Sequence, residues 1–482
     1  MDKIFGCRSR RKVIVMGFIF FLICIMHNIL YNTKDALVIT AEGSGAEAIP
    51  FIQLWMLFPM TCGITLWITR LLRHHGIVTV IQMVFAFFLI FFVIFACVLY
   101  PCRDLLSADS FADYLTTTLP SGFKGLIGMI RNWVFSVFFV MSELWAGMVT
   151  SVMFWSLAND ITPLSEAKQS YSWIRVGGSI GCTLGGQAPM LANSLVPDAS
   201  IYVLIGMVVV GCLVSMFLFR WVSYNGVDSE TSQRLTMPKP ISKLTPQSIK
   251  EQLKPLFKSR YLMSLATMVI GYNICMNLFE LVWKAQVKEF YGDFNQYNEF
   301  LGHASTVCGV LSILLAVFTP RILKSIGWTG TAIVSPLVHL VCGIGFFSLL
   351  IFRDVLPFDA NIIMTIAVGI GTVQFITGRA TKHSLFDVTK DLAFIPLSSE
   401  IKSQGKAAVD GFGSRAGRSA ASFVHQALLL VFTTVGGGLP IVGMVVIGVV
   451  VVWITATRSL GRQIDAVVSE EKELEESLAI AA

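Results

Sequence analysis

Val13-Ile14-Val15-Met16-Gly17-Phe18-Ile19-Phe20-Phe21-Leu22-Ile23-Cys24-Ile25-Met26-His27-Asn28-Ile29-Leu30 runs without a break into Tyr31-Asn32-Thr33-Lys34-Asp35-Ala36-Leu37-Val38-Ile39-Thr40, and a second apolar run opens at Ile49-Pro50-Phe51. The first run is long enough to cross a bilayer as a helix. The pattern predicts a span over 13–33, which puts Lys34 at or near its end, beside an acid that does not fully neutralise it. A charge at bilayer depth costs about 2.5–3.5 kcal/mol on insertion scales. Such a charge is kept for a use unless its side chain snorkels to the headgroups. Three further charges in similar surroundings, Glu143, Glu280 and Lys406, turn the reading toward use.

The whole chain repeats this apolar pattern. Of 482 residues, 55% are hydrophobic and 14% charged, and the mean hydropathy is +0.71. Runs of about 20 apolar residues recur along its length, the signature of a polytopic, all-α membrane protein. The net charge of +6 does not call for nucleic acid, because basic loops on the cytoplasmic side account for it. Ten cysteines stand singly in apolar segments, with no C-x-x-C, so they read as small core residues rather than disulfide or zinc ligands. The basic start (Lys3, Arg8, Arg10, Arg11, Lys12) imitates a signal peptide, but no small-residue cleavage site follows, so it is read as leading into helix 1. The lack of a Ser/Arg-rich transit segment before it favours a bacterial chain.

Twelve spans are predicted, at roughly 13–33, 50–70, 76–100, 132–159, 171–193, 199–221, 261–283, 300–320, 329–352, 360–381, 406–433 and 439–457. The stretch 223–260 carries four prolines and seven Lys/Arg against three Asp/Glu, which reads as a cytoplasmic linker between two six-helix halves, 1–222 and 261–462. Residues 463–482 form an acidic tail. Even-numbered gaps carry the bases: Arg70 and Arg73, the linker, Arg321 and Lys324, then Lys382, Lys390 and Lys402. Odd gaps are poor in base or rich in acid, as at Asp104, Asp109 and Asp113, so both termini are expected in the cytoplasm. A short repeat supports two halves. Arg70-Leu71-Leu72-Arg73-His74-His75-Gly76 and Arg321-Ile322-Leu323-Lys324-Ser325-Ile326-Gly327 share R-x-L-[RK]-x-x-G in corresponding loops. Parallel repeats of this kind build major-facilitator transporters, with the substrate site near the midplane.

Lys34, Glu143, Glu280 and Lys406 would then meet at the centre of a two-half carrier. Mixed signs there suit an anionic solute that must be both held and released; a structural ion-pair set is the bland alternative. Gly177-Gly178-Ser179-Ile180-Gly181 and Gly185-Gly186 have no preceding strand, so they read as close helix packing rather than a dinucleotide fingerprint. No G-x-x-x-x-G-K-[ST] occurs, which argues against an ATP-hydrolysing pump, and no nucleophile or metal spacing points to an enzyme. No cofactor is expected.

Five collinear blocks resemble the nucleotide transporter family, the ATP:ADP antiporters of obligate intracellular bacteria and of plastids. They are T-K-D-A-L-V-I-T with G-A-E-A-I-P-F (Thr33 to Phe51), S-E-L-W with F-W-S-L-A-N (Ser142 to Asn159), N-L-F-E-L-V-W-K (Asn277 to Lys284), S-L-F-D-V-T-K-D-L-A-F-I-P-L (Ser384 to Leu397) and K-S-Q-G-K-A-A-V-D (Lys402 to Asp410). The resemblance implies a twelve-helix, major-facilitator-like carrier of the bacterial inner membrane that exchanges ATP for ADP. A proton-driven importer of GTP, UTP or a wider set is the alternative, and a non-transporting membrane receptor a distant one. It also implies that Lys34, Glu143, Glu280 and Lys406 are the positions essential for transport. Lys34 and Lys406 would hold phosphate, with Lys382, Arg415 and Arg418 as accessory phosphate contacts, and a glutamate would carry the proton in a symporter. The chain departs from the family's N-P-L-G-K-S-G-G after Asp410, reading Gly413-Ser414-Arg415-Ala416-Gly417-Arg418-Ser419-Ala420 instead. Adenine stacking would fall to Trp145, Trp155, Phe279 or Trp283, each of which also suits packing.

Overall fold

The computed structural model describes residues 7–162, 164–225, 235, 237, 259–357, 359–397, 405, 409–410 and 413–481, with no strand among them. Most of the linker and Lys406 lie outside the described residues. The chain runs as α1 (Cys7–Thr40), α2 (Ala48–His74), α3 (Ile77–Leu99), α4 (Trp133–Ile161), α5 (Leu164–Gly185), α6 (Ser200–Asn225) and α7 (Arg260–Phe290). It continues as α8 and α9, the limbs 294–326 and 328–351 of Phe294–Ile351, then α10 (Ala360–Thr381), α11 (Ser414–Phe432) and α12 (Leu439–Ala481). Among the described residues nine helices are long and apolar enough to cross a membrane. Phe294–Ile351 is one of these and makes two crossings, and the more polar α5 and α11 complete the twelve.

Three predicted boundaries move. α1 continues to Thr40 instead of ending at residue 33, because Lys34 is answered inside the protein and Ala36, Leu37, Val38 and Ile39 are all buried. The predicted span 171–193 begins at Leu164 and ends at Gly185; a turn at Gly186-Gln187 and Pro189 begin a separate helix, Ala188–Leu195. α12 runs through the acidic tail to Ala481. The loop between α3 and α4 holds three short helices, Arg103–Leu106, Asp109–Thr118 and Lys124–Arg131.

The chain divides into two compact units, Met1–Thr245 with Val287–Val310, and Pro246–Gln286 with Leu311–Ala482. In the first, α5 lies flush on α1 through the glycines singled out in the sequence. A Cβ at Gly177 would stand 2.7 Å from the Gly17 carbonyl oxygen, one at Gly181 2.3 Å from that of Phe21, and one at Gly185 2.9 Å from that of Ile25. Positions 177, 181 and 185 share one helix face, and small residues there let two backbones touch where lipid offers no hydrophobic drive to association. In the second unit the turn from α8 to α9 is made by Gly327 at φ 69°, a conformation that costs an L-residue steric strain. Its counterpart Gly76 caps α3 at φ −66°, in extended backbone. Corresponding loops thus turn at the same motif position.

Gly181→Ala is expected to destabilise the protein by about 1–3 kcal/mol through overpacking, whereas Gly206→Ala, where a Cβ would meet nothing within 4 Å, is expected to be neutral. Thermal unfolding of both variants in detergent checks the contrast.

Candidate functional site

Among the described residues, each unit holds a buried charge cluster within its apolar helices. In the first, Lys34 on α1 is 4% exposed at its side chain, and its Nζ lies 2.8 Å from Asp35 Oδ1 and 3.1 Å from Glu143 Oε1 on α4. The ammonium also lies over the rings of Phe139 at 4.0 Å and Tyr31 at 4.7 Å. Aromatic faces and two carboxylates replace the water a lysine would otherwise need. Lys34 therefore does not snorkel. Glu143 retains 19% exposure while Asp35 has none, so Asp35 is the fixed partner and Glu143 the one with a route outward.

In the second unit the signs are reversed. Glu280 on α7 receives Lys284 Nζ at 2.5 Å, one turn along the same helix, and Arg379 Nη2 at 3.1 Å from α10. The Arg379 guanidinium lies 4.4 Å over Phe375, and Phe375 stacks on Trp283 at 4.5 Å. One turn and more before Arg379, Gln374 is fully buried, with neither amide atom hydrogen-bonded among the described residues. Buried amides are seldom left so, which marks this part of α10 as built for something besides packing.

The two clusters correspond under the parallel repeat. α1 pairs with α4 through Lys34 and Glu143; α7 pairs with α10 through Arg379 and Glu280. Both α4 and α10 pass into π-helix three residues after the charged side chain, at Ala146–Met153 and Lys382–Phe386. Further π segments, Ile52–Leu57 and Phe95–Leu99, lie in α2 and α3, so the feature is common to both clusters without being confined to them. Counted as ionised side chains among the described residues, the first cluster holds one base and two acids, the second one acid and two bases. Asp35, Lys284 and Arg379 are thus members of the two clusters beyond the four residues the sequence reading singled out. The i,i+4 spacing of Glu280 and Lys284 was a legible signal. Arg379 falls near the end of the predicted span 360–381, whereas the apolar helical stretch continues to Ala393.

The remaining predicted residues are dispersed. Lys406 lies outside the described residues. Lys382 Nζ is 3.4 Å from Asp387, which also faces Lys390 at 3.6 Å, and Lys390 reaches Asp410 at 2.8 Å. A phosphate at Lys382 would therefore compete with Asp387. Arg415 and Arg418 are exposed in the first turns of α11. Trp145 and Trp283 are fully buried among aromatic rings, as is Phe279, so these three are core; Trp155 is half-buried against Tyr171. Among the described residues no group of His, Cys, Asp and Glu is placed to hold a metal ion.

Known proteins with this sequence pattern are carriers. The chain is 37% identical to ADP,ATP carrier protein 1 of Chlamydia trachomatis serovar D over 97% of this chain and 92% of that one. It is 34% identical to ADP,ATP carrier protein 2, chloroplastic, of Arabidopsis thaliana over 98% and 78% respectively. The fold is shared with a bacterial homologue of the iron transporter ferroportin in its inward-facing state, at TM-score 0.60 and 11% identity, covering 95% of this chain and 99% of that one. It is also shared with the inward-open xylose transporter XylE of E. coli, at TM-score 0.52 and 12% identity, covering 94% and 95%. At such identities the likeness speaks for the major-facilitator-like fold alone. The family model described as TLC ATP/ADP transporter matches residues 5–464, and this chain belongs to that family.

Proposed function

We propose that this chain exchanges ATP for ADP across a bacterial inner membrane, leaving both chemically unchanged, with both termini in the cytoplasm. The observation that carries this reading is the sign-inverted pair of ion clusters, Asp35–Lys34–Glu143 and Lys284–Glu280–Arg379, inside apolar helices. The names of the relatives, ADP,ATP carriers of chlamydiae and plastids, support the choice of solute.

The physics of the two clusters assigns them different parts. The Arg379–Lys284 pair carries an excess of positive charge, and a guanidinium matches phosphate oxygens in bidentate fashion. Phosphate enters there by sharing the bases with Glu280. Lys34 is held in surroundings of net negative charge, so it binds phosphate only as Glu143 lets go. Lys406 adds a further base, with Lys382, Arg415 and Arg418 at the approach. Binding is thereby an exchange of partners rather than the filling of an open positive well, and release is the reverse exchange. Residues 1–222 rocking against 261–462 about the linker 223–260 would expose the site to each side in turn.

Intact bacterial cells expressing the chain are expected to take up labelled ATP and to release the label when chased with unlabelled ADP, with no effect of a protonophore. Uptake that the protonophore abolishes and ADP does not chase would instead assign a proton-driven importer. Lys34→Gln leaves two acids buried, and unpairing a buried charge costs about 3–5 kcal/mol, so this variant is expected to be both less stable and inactive. Lys34→Gln/Asp35→Asn, which removes the fully buried acid together with its base and leaves only the part-exposed Glu143 charged, is expected to recover thermal stability while uptake stays at the level of empty cells. Recovery of uptake in the double variant would make the cluster purely structural. Arg379→Gln is expected to lower uptake at least tenfold, with Arg379→Lys intermediate, since a lysine keeps the charge but loses the bidentate geometry.

A further inference from the structure

Away from the two clusters, α12 carries a stripe that changes character along its length. Met444, Ile447, Val451 and Val452 are exposed, while Val442, Val446, Val450 and Trp453 on the other side are buried. An apolar face left open on a membrane helix is turned to lipid. The same stripe continues by steps of three and four into Thr455, Arg458 and Arg462, which keeps them on that face. At this level Arg458, Arg462, Thr455, Ser459 and Gln463 line a cavity of about 550 Å³ together with Arg260, the first residue of α7.

Three arginines line this cavity, and none of the described residues lining it is an acid. Like charges around one cavity repel, and an anion between them would relieve the repulsion. The donors are suited to phosphate. Arginine offers paired N–H groups that match two phosphate oxygens, and the hydroxyl of Ser459 adds a neutral donor, that of Thr455 being donated to the Val452 carbonyl at 2.8 Å. Gln463 is held against the helix by its amide, which donates to the Ser459 carbonyl at 3.1 Å, leaving the arginines as the charged lining. The position at the end of a lipid-facing stripe is headgroup depth, where basic pockets between membrane helices take anionic lipid.

We propose that Arg260, Arg458 and Arg462 bind a phosphate-bearing anion at the membrane surface, supplied by the headgroup of an acidic phospholipid or by free phosphate. This site is separate from the Lys34 and Glu280 clusters and does not rest on the transport reading. An occupant would tie the start of α7 to α12 within the second unit.

The test uses the full-length protein in nanodiscs of phosphatidylcholine containing phosphatidylglycerol, with native mass spectrometry counting the phosphatidylglycerol retained on release. The wild type is expected to retain it, and Arg458→Gln/Arg462→Gln to hold it roughly thirtyfold more weakly. Retention that withstands millimolar inorganic phosphate assigns the lipid. Labelled inorganic phosphate bound by the detergent-purified wild type but not by the variant, without selective lipid retention, assigns the free anion. A variant that matches the wild type toward both probes overturns the proposal. Arg458→Lys/Arg462→Lys keeps the charge and is expected to restore part of the binding. Arg260→Gln, at the other wall of the cavity, supplies a second reading should the double variant fold poorly.

Discussion

An ammonium group inside a helix bundle has to be answered by the protein, because lipid cannot answer it. That constraint runs through the first unit. Lys34 is met by its own neighbour Asp35 and by Glu143 on α4, and its stem lies beside Phe139 and Tyr31. The ion pair therefore fixes where α1 and α4 meet, and it lets α1 run on to Thr40 instead of stopping at the charge. The glycine face of α5 then closes on the other side of α1 at backbone contact. Burying charge in this way does not favour stability over an apolar core of the same shape. Its retention is better understood as a specification of position, with a function attached to the partners' willingness to part.

Inversion of sign between the two units gives that idea content. A site of bases alone would hold a polyanion strongly in both states and slow its departure. Here each base already has an acid within reach, so on the proposed reading a phosphate would compete with a carboxylate that is waiting to return. The competition lowers net affinity and, for the same reason, lowers the barrier to release.

Much of this was legible in the sequence. The apolar runs, the basic even-numbered loops and the paired R-x-L-[RK]-x-x-G motifs give twelve crossings, and burial cost points at Lys34, Glu143, Glu280 and Lys406, the last of which lies outside the described residues. The gly-rich run in α5 was readable as packing because no strand precedes it. What escaped were partners rather than principals. Asp35 was discounted because adjacent residues on a helix point in different directions, yet a lysine stem is long enough to fold back to it. Arg379 was hidden because its basic neighbours suggested a helix end, and sequence periodicity does not register a π-helical turn that carries the chain onward. The extra seven residues of α1 were missed for the same kind of reason: a charge looks like a boundary until its partner is known.

The π-helical segments set a condition on length. Ala146–Met153 separates Glu143 from the aromatic residues Phe154 and Trp155. A π turn accommodates one residue more than an α turn, and each residue in an α-helix advances the side chain by about 100°. Losing one residue between Ala146 and Met153 would therefore let that turn close to α-helix with Phe154 still facing Phe20, because the wider turn takes up its extra residue within itself. The same loss in the α-helical part, Trp133–Trp145, would swing everything beyond it by that angle, so the length of α4 is fixed there and tolerant next to Glu143.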